Sequence, residues 1–548
     1  MRPGPPLMPL SPGQNKTTAA ILALEQFQLR YPGADHWTLN GLDLSIKSGE
    51  HLALVGPSGC GKSTVARAAL QLLPAGTECQ GELLLNGLDP RQLNRGDLRR
   101  LRGESVGLVF QDPMTRLNPL MTVGHHLIDT LSAHQSHQPT AEQREQACAL
   151  LETVGIGADR FNAYPHEFSG GMRQRLAIAL AIALKPPLVI ADEPTTSLDV
   201  AVANQVMAEL RQLCDDLGSA LLLISHDLAM AHRWCDRMAV LDGGRVVEQS
   251  SSTAVLTHPQ SAIGQRLVAA AREREGSQSP ECPDAAALLQ GEELRCWHNL
   301  GGPPWAPRWL KAVDGVSFAL KAGESLGVVG GSGCGKSTLC RALMGLNSIR
   351  GGQVWLDGAN LLGQRGAKER KLRRSIQMVF QDPLACLNPA MRVGDAIADP
   401  LLIHGLCSPA AARERARELL ELVGLTPAEQ FQNRLPRQLS GGQQQRVAIA
   451  RALALEPKVL ICDESVSMLD AEIQADVLTL LRSLQSRLGL AMVFITHDLS
   501  VASGFCHQVI VLDQGRIVEQ GAGDQLLNQP QAAITQKLVE ACPRLPAA

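Results

Sequence analysis

The chain has 548 residues, 45% apolar but only 3% aromatic, with 51 Lys and Arg against 54 Asp and Glu and a formal charge of −3. That balance offers no broad cationic field for nucleic acid as an obligate partner, and the length suits two or more domains with separate cores. No stretch approaches the roughly twenty apolar residues of a membrane span. The nearest run, residues 176–184, stops at Lys185-Pro186-Pro187 and reads as a buried helix. Fourteen cysteines lie scattered without CxxC pairs or metal-ligand spacing, which suits thiols in a reducing cytosol.

In chain order, residues 1–19 are proline-rich, lack the apolar core of a secretory signal and read as a loose tail. A first domain is expected over 20–271, opening with strands at 21–24 and 39–46. The apolar run Leu52-Ala53-Leu54-Val55 then leads into Gly56-Pro57-Ser58-Gly59-Cys60-Gly61-Lys62-Ser63-Thr64 and a helix-like segment. This is the phosphate-loop pattern: Gly56, Gly59 and Gly61 let the backbone curl so that its N–H groups, that of Ser58 among them, face a phosphate. The next helix, entered through Ser63 and Thr64, adds its positive end. Lys62 is placed to reach the outer phosphates, and the Ser63 hydroxyl to ligate Mg²⁺.

Farther on, Gln111 follows a strand ending Val109-Phe110, Asp192-Glu193 closes the buried strand 188–191, and His226 closes 221–225. Polar groups at the carboxyl ends of parallel strands are where an open α/β sheet gathers its ligands. An aspartate there suits the Mg²⁺ shell, and a neighbouring glutamate suits orienting or deprotonating water. Phe168-Ser169-Gly170-Gly171-Met172 joins a serine cap to paired glycines and a helix, a second anion-binding N-terminus.

The whole series then repeats. After a linker expected at 272–291, a second domain over 292–538 holds Gly330, Ser332, Gly333, Gly335, Lys336, Ser337 and Thr338 in a second phosphate loop. It also holds Gln381, Ser440-Gly441-Gly442-Gln443, Asp463-Glu464 and His497, each 270 to 274 positions after its counterpart; residues 539–548 form a tail. One unit is duplicated with almost no net insertion. Short aliphatic strands alternating with helical stretches predict, in each copy, an α/β domain with a helix-covered, mainly parallel sheet.

The assembled motifs resemble the nucleotide-binding domains of ATP-binding cassette (ABC) proteins, which are P-loop NTPase folds with a helical subdomain. The resemblance implies a head-to-tail pair of domains with two ATP molecules between them and Mg²⁺ as the companion ion. It implies that Lys62, Ser63, Gln111, Asp192, Glu193 and His226 act with the signature Ser440, Gly441, Gly442 and Gln443. The other site joins Lys336, Ser337, Gln381, Asp463, Glu464 and His497 to Ser169, Gly170 and Gly171. The catalytic groups are then Glu193, His226, Glu464 and His497, and Mg²⁺ falls to Ser63, Gln111, Asp192, Ser337, Gln381 and Asp463. Asp199 and Asp470 match the loop that links the sites. Met172 replaces the usual glutamine, with little loss expected because the serine and glycines carry the phosphate contacts. Tyr31 fits the adenine-stacking aromatic, with Trp297 taken as its counterpart.

Gln111-Asp112-Pro113 and Gln381-Asp382-Pro383 are each followed, after three residues, by Leu-Asn-Pro, and His258-Pro259 follows the first copy. These features resemble the ATPases of oligopeptide, dipeptide, opine, nickel and glutathione uptake transporters. That branch implies a peripheral chain at the cytoplasmic face of the plasma membrane. Its partners are two membrane permeases, docked on the helical parts near 113–161 and 383–431, and a solute-binding protein, with no nucleic acid. The competing readings are a soluble tandem ATPase of the ribosome or DNA, which usually has a longer charged linker and lacks Leu-Asn-Pro, and the ATPase of an exporter.

Overall fold

The computed structural model describes residues 20–546 apart from 112, 114–115, 136–138, 197, 277–278, 304, 306, 363, 365, 467–468, 470 and 543. Two copies of one architecture follow each other along the chain. In the first, the strands Val106–Val109, Leu188–Asp192, Ala220–Ile224, His51–Val55 and Arg237–Asp242 lie side by side and parallel, with Arg245–Ser251 antiparallel at the edge. The second copy repeats this with Ile376–Val379, Val459–Asp463, Ala491–Thr496, Ser325–Val329, Gln508–Asp513 and Arg516–Gly521. A smaller antiparallel sheet accompanies each: Ala20–Arg30 between Leu39–Lys47 and Glu78–Leu85, and Ala287–Asn299 between Trp309–Lys321 and Gly351–Leu356.

The two-residue period of a strand splits each core into two layers. Leu52 and Leu54 pack toward the small sheet, while Ala53 and Val55 pack toward the helices. All four are fully buried, which is why these strands read as unbroken apolar runs. Truncating Leu54 to Ala removes contacts on the central strand and costs about 2–5 kcal/mol. The run 176–184 falls mostly in the helix Gly170–Ile182, whose Leu176, Ile178 and Ala179 are buried.

The helical parts contain Val123–His134 and Thr140–Thr153 in the first copy, and Val393–Ile403 and Pro409–Leu422 in the second. Their Leu-Asn-Pro turns have a local cause. Leu117 and Leu387 are buried, while Asn118 Oδ1 accepts the Leu120 N–H and Asn388 Oδ1 accepts the Ala390 N–H, each at 3.0 Å. Asparagine thus closes a side-chain turn that proline then rigidifies.

Regular structure reaches into the stretch expected as linker from both sides, since one helix spans Ala262–Gly276 and the next strand begins at Ala287. Between them, Ser279 Oγ donates to the Ser503 carbonyl at 3.0 Å and accepts the Asp524 N–H at 3.1 Å, so the connection lies along the second copy. The C-terminal helix Ala533–Ala541 continues beyond 538, and its end touches the first copy. There Asn204 donates to the Ala541 carbonyl, Arg233 donates to that of Glu540 at 3.5 Å, and Leu545 packs on the first copy's core. Apolar Val539 and Leu545 were the signal that this end is more than a tail.

Candidate functional site

Each phosphate loop joins a central strand to a helix, Lys62–Ala69 or Lys336–Leu343. Gly61 (φ +109°) and Gly335 (φ +112°) turn the chain into the helix in the left-handed region, and a Cβ at Gly335 would collide with the Ala312 carbonyl oxygen. Only glycine suits such a position. Lys62 Nζ donates to the carbonyls of Gly56 and Pro57 at 2.7 and 2.9 Å, and Lys336 Nζ to those of Gly330 and Gly331 at 2.8 and 3.0 Å. Both lysines are buried at the loop's centre, with the ammonium set among backbone groups.

The carboxylates arrive from the strand two places away in the sheet, Leu188–Asp192 or Val459–Asp463, with one strand between it and the phosphate-loop strand. Ser63 Oγ donates to Asp192 Oδ1 at 2.9 Å, and Ser337 Oγ to Asp463 Oδ1 at 3.5 Å. Burial pushes both aspartates above the usual carboxylate range, against the hydroxyl bonds that favour their charge. Glu193 (φ +48°) and Glu464 (φ +45°) take a left-handed backbone conformation that non-glycine residues rarely adopt. The Glu193 N–H holds that turn by donating to the Ile224 carbonyl at 2.9 Å, and the Glu464 N–H by donating to that of Ile495 at 3.1 Å.

The turned glutamates meet the remaining expected groups. Gln111 Nε2 donates to Glu193 Oε2, and Gln381 Nε2 to Glu464 Oε2, both at 2.7 Å. His226 Nδ1 lies 3.3 Å from Glu193 Oε1, and His497 Nδ1 3.9 Å from Glu464 Oε1. Burial works against the charge of Glu193, but its bond to His226 prevails and holds the carboxyl below its ordinary value; Glu464 is lowered likewise by His497. His226 is half-buried, which opposes its charge, yet Glu193 raises it above the usual histidine value. Thr196, which the sequence reading passed over, donates to Glu193 Oε2 at 3.1 Å. No motif marks a single threonine three positions on.

Ser169 and Ser440 cap the helices Gly170–Ile182 and Gly441–Leu453, accepting the N–H of Met172 and Gln443 at 3.3 and 3.4 Å. Gln443 Oε1 also accepts the Ser440 N–H at 3.1 Å, a return bond that the Met172 side chain has no oxygen to make. Among the described residues, no hydrogen bond joins either signature to the opposite phosphate loop. What does cross is Asp199, whose Oδ2 accepts the Ser332 N–H at 3.0 Å. Beside it, Glu193, Thr196 and His226 from one copy and Thr496, His497 and Asp498 from the other line a single cleft of about 120 Å³. Asp470 lies outside the described residues.

The Tyr31 hydroxyl, on the residue expected to stack on adenine, is 3.3 Å from Thr64 Oγ1, which fixes the ring at the edge of the first loop. Strand register corrects its counterpart. Leu29 faces Leu39 as Cys296 faces Val313, so Trp297 occupies the place of Arg30 and His298 that of Tyr31. The neighbours agree: Arg30 lies over Trp37 in one copy, and Lys311 over Trp297 in the other, a cation–π pair with its members exchanged. Equivalent bulges at Gln26 and Glu293 keep the register the same in both copies, and the longer connection from Cys296 to Val313 hid it from the sequence.

A family model described as ABC transporter matches the chain twice, at residues 39–196 and 313–467. The peptidoglycan transport ATP-binding protein of Agrobacterium fabrum is 40% identical over 518 residues, covering 93% of each chain. The glutathione import ATP-binding protein of Pectobacterium atrosepticum is 38% identical over 92% of this chain and 86% of its own length. The oligopeptide transport ATP-binding protein of Mycobacterium bovis is 35% identical over 92% of this chain and 95% of its own. With two matches spanning more than half its residues and relatives alike over nearly its full length, the chain belongs to the ABC transporter family, as an ATP-binding and ATP-hydrolysing component with two cassettes in one polypeptide.

Proposed function

We propose that both cassettes power the uptake of peptides or related solutes through two separate membrane subunits supplied by a solute-binding protein, from the cytoplasmic face of the membrane. The observation that carries this reading is the complete, duplicated set of Lys, Ser, Gln, Asp, Glu and His around two phosphate loops, followed in both copies by the Leu-Asn-Pro turn. The similar transport proteins for peptidoglycan, glutathione and oligopeptides support the solute class. Among the described residues no helix is long and apolar enough to cross a membrane.

Between sheet and helical part, the first copy holds a cavity of about 540 Å³ lined by Leu108, Phe110, Leu117 and Met121 among others. The second holds one of about 170 Å³ around Met378, Phe380 and Leu387. These are the grooves proposed to receive the membrane subunits.

At each site Lys62 or Lys336 binds the outer phosphates, and Glu193 or Glu464 accepts a proton from the attacking water as its oxygen bonds to the terminal phosphorus and the bridging bond to ADP breaks. The lowered glutamates are ionised at neutral pH, as an acceptor needs. His226 and His497 orient them. Ser63, Asp192 and Gln111, with Ser337, Asp463 and Gln381, are hard oxygen donors fit to hold Mg²⁺, and the 2.9 Å between Ser63 Oγ and Asp192 Oδ1 sets two donors side by side. Bound there, Mg²⁺ neutralises phosphate charge. The nucleotide-bound pair closes head to tail, with Ser440-Gly441-Gly442-Gln443 completing the first site and Ser169-Gly170-Gly171 the second.

Affinity purification from detergent-solubilised membranes tests this reading: integral membrane subunits should copurify and stimulate ATP hydrolysis. Recovery with ribosomes or DNA instead would overturn it.

A further inference from the structure

Two short helices lie just before the strands that carry Gln111 and Gln381. In Arg95–Arg100 three of six residues are cationic, and in Ala367–Arg374 five of eight, each helix having one acid. This is not composition at work, because the chain as a whole is slightly anionic. Each helix turns one leucine, Leu98 or Leu372, onto the core of the small sheet. Each region is also tied down by one arginine. Arg102 donates to the carbonyls of Leu70 and Gln71, and Arg373 to those of Met344 and Gly345, at the end of the phosphate-loop helix.

Of the other cations, Arg374 is half-buried and the remaining six face outward. Arg95, Arg99, Arg100, Lys368, Arg370 and Lys371 are exposed, and among the described residues none of the six takes part in a salt bridge. The arrangement recurs in both copies although the two helices share little sequence beyond Leu-Arg-Arg. Their place is also shared. Arg102 and Gly103, directly after the first helix, line the 540 Å³ groove, and Gln377, just after the second, lines the other.

We propose that the outward faces of Arg95–Arg100 and Ala367–Arg374 are a docking surface for the anionic headgroups of a phospholipid membrane. The proposal rests on the transport reading, in which segments reach the two grooves from the bilayer side. The lip of each groove then faces the membrane, and there unpaired cations meet a surface of opposite sign. Six charges on two rigid helices also offset the repulsion that a net-anionic chain meets at such a surface.

The test is flotation of the purified full chain with vesicles of phosphatidylcholine alone and with about 30% phosphatidylglycerol. Binding is expected only to the anionic vesicles at low salt, falling at least about tenfold in 0.5 M salt. Replacing all six exposed cations by Gln should weaken it at least about tenfold while basal ATP hydrolysis in solution stays unchanged. Equal binding to both vesicles, no binding to either, retention by RNA without vesicle binding, or flotation of a folded six-Gln variant like the unaltered chain would overturn the proposal. If that variant fails to fold, lipid and salt dependence of the unaltered chain decides. Copurification of membrane subunits from detergent without flotation would reject the lipid surface and leave the transport reading standing.

Discussion

Asp199 in the first cassette accepts a hydrogen bond at 3.0 Å from the backbone N–H of Ser332 in the second cassette's phosphate loop. The same side chain caps the helix Val200–Leu217 by accepting the Val202 N–H at 2.9 Å. Burial opposes its charge, but the bonds from Ser332 and Val202 prevail and hold the carboxyl below its ordinary value. A residue seven positions after Asp192 in one cassette thereby carries an anionic contact to the loop of the other.

Replacing Asp199 by Asn isolates that contact, because asparagine still caps a helix. Exchanging a charge-assisted bond for a neutral one costs about 1 kcal/mol. Steady-state ATP hydrolysis should fall roughly fivefold with the first cassette's melting little changed. An unaltered rate would mean that the contact has no part in turnover.

Glu193→Gln and Glu464→Gln keep the size of the side chain and remove the proton acceptor. Each should retain ATP binding while slowing phosphate release by on the order of a hundredfold. Near wild-type release in the double variant would remove these glutamates from the catalytic role.

Much of this was legible because the same physical demands were written twice. Glycines in the loops, aliphatic strands ending in Asp-Glu and serine caps before paired glycines all follow from local backbone needs, and the structure pairs Ser63 with Asp192 and sets Gln111 and His226 on Glu193. What escaped it depends on register or on distant packing. A longer connection between Cys296 and Val313 than between Leu29 and Leu39 breaks the constant offset between the copies, and Thr196 acts only through the left-handed turn at Glu193. The C-terminal helix reaches Asn204 across the interface, a contact of sequence separation that no local pattern reports.

Two histidines, His51 buried and His507 half-buried, make stability depend on pH. His51 is lowered by burial, with Arg211 adding to the effect, and His507, lowered by burial, accepts the Ser325 N–H into Nδ1 at 3.0 Å. A histidine with a lowered folded-state pKa binds its proton more readily when unfolded. The stability it contributes is therefore present above about pH 6.5 and is lost as pH falls below it. Thermal melting should drop between pH 7.5 and 5.5, and His507→Asn should shrink that drop. A melting temperature flat or rising across this interval would contradict the assignment.

The phosphate-loop thiols should be chemically quiet. Burial raises both Cys60 and Cys334 above the usual thiol value, although Lys62 and Lys336 pull the other way, so little thiolate is present at neutral pH. Alkylation at pH 7 should be slower at these positions than at the exposed Cys282. Mass spectrometry of partly labelled protein reads the order directly, and faster labelling of Cys60 would refute it.

The most direct measurement is a structure of the Glu193→Gln/Glu464→Gln variant with ATP bound. The account predicts that the terminal phosphate held by Lys62 lies within hydrogen-bonding distance of Ser440, and the one held by Lys336 within the same distance of Ser169. Each triphosphate enclosed by a single cassette, with both signature serines turned to solvent, would contradict it.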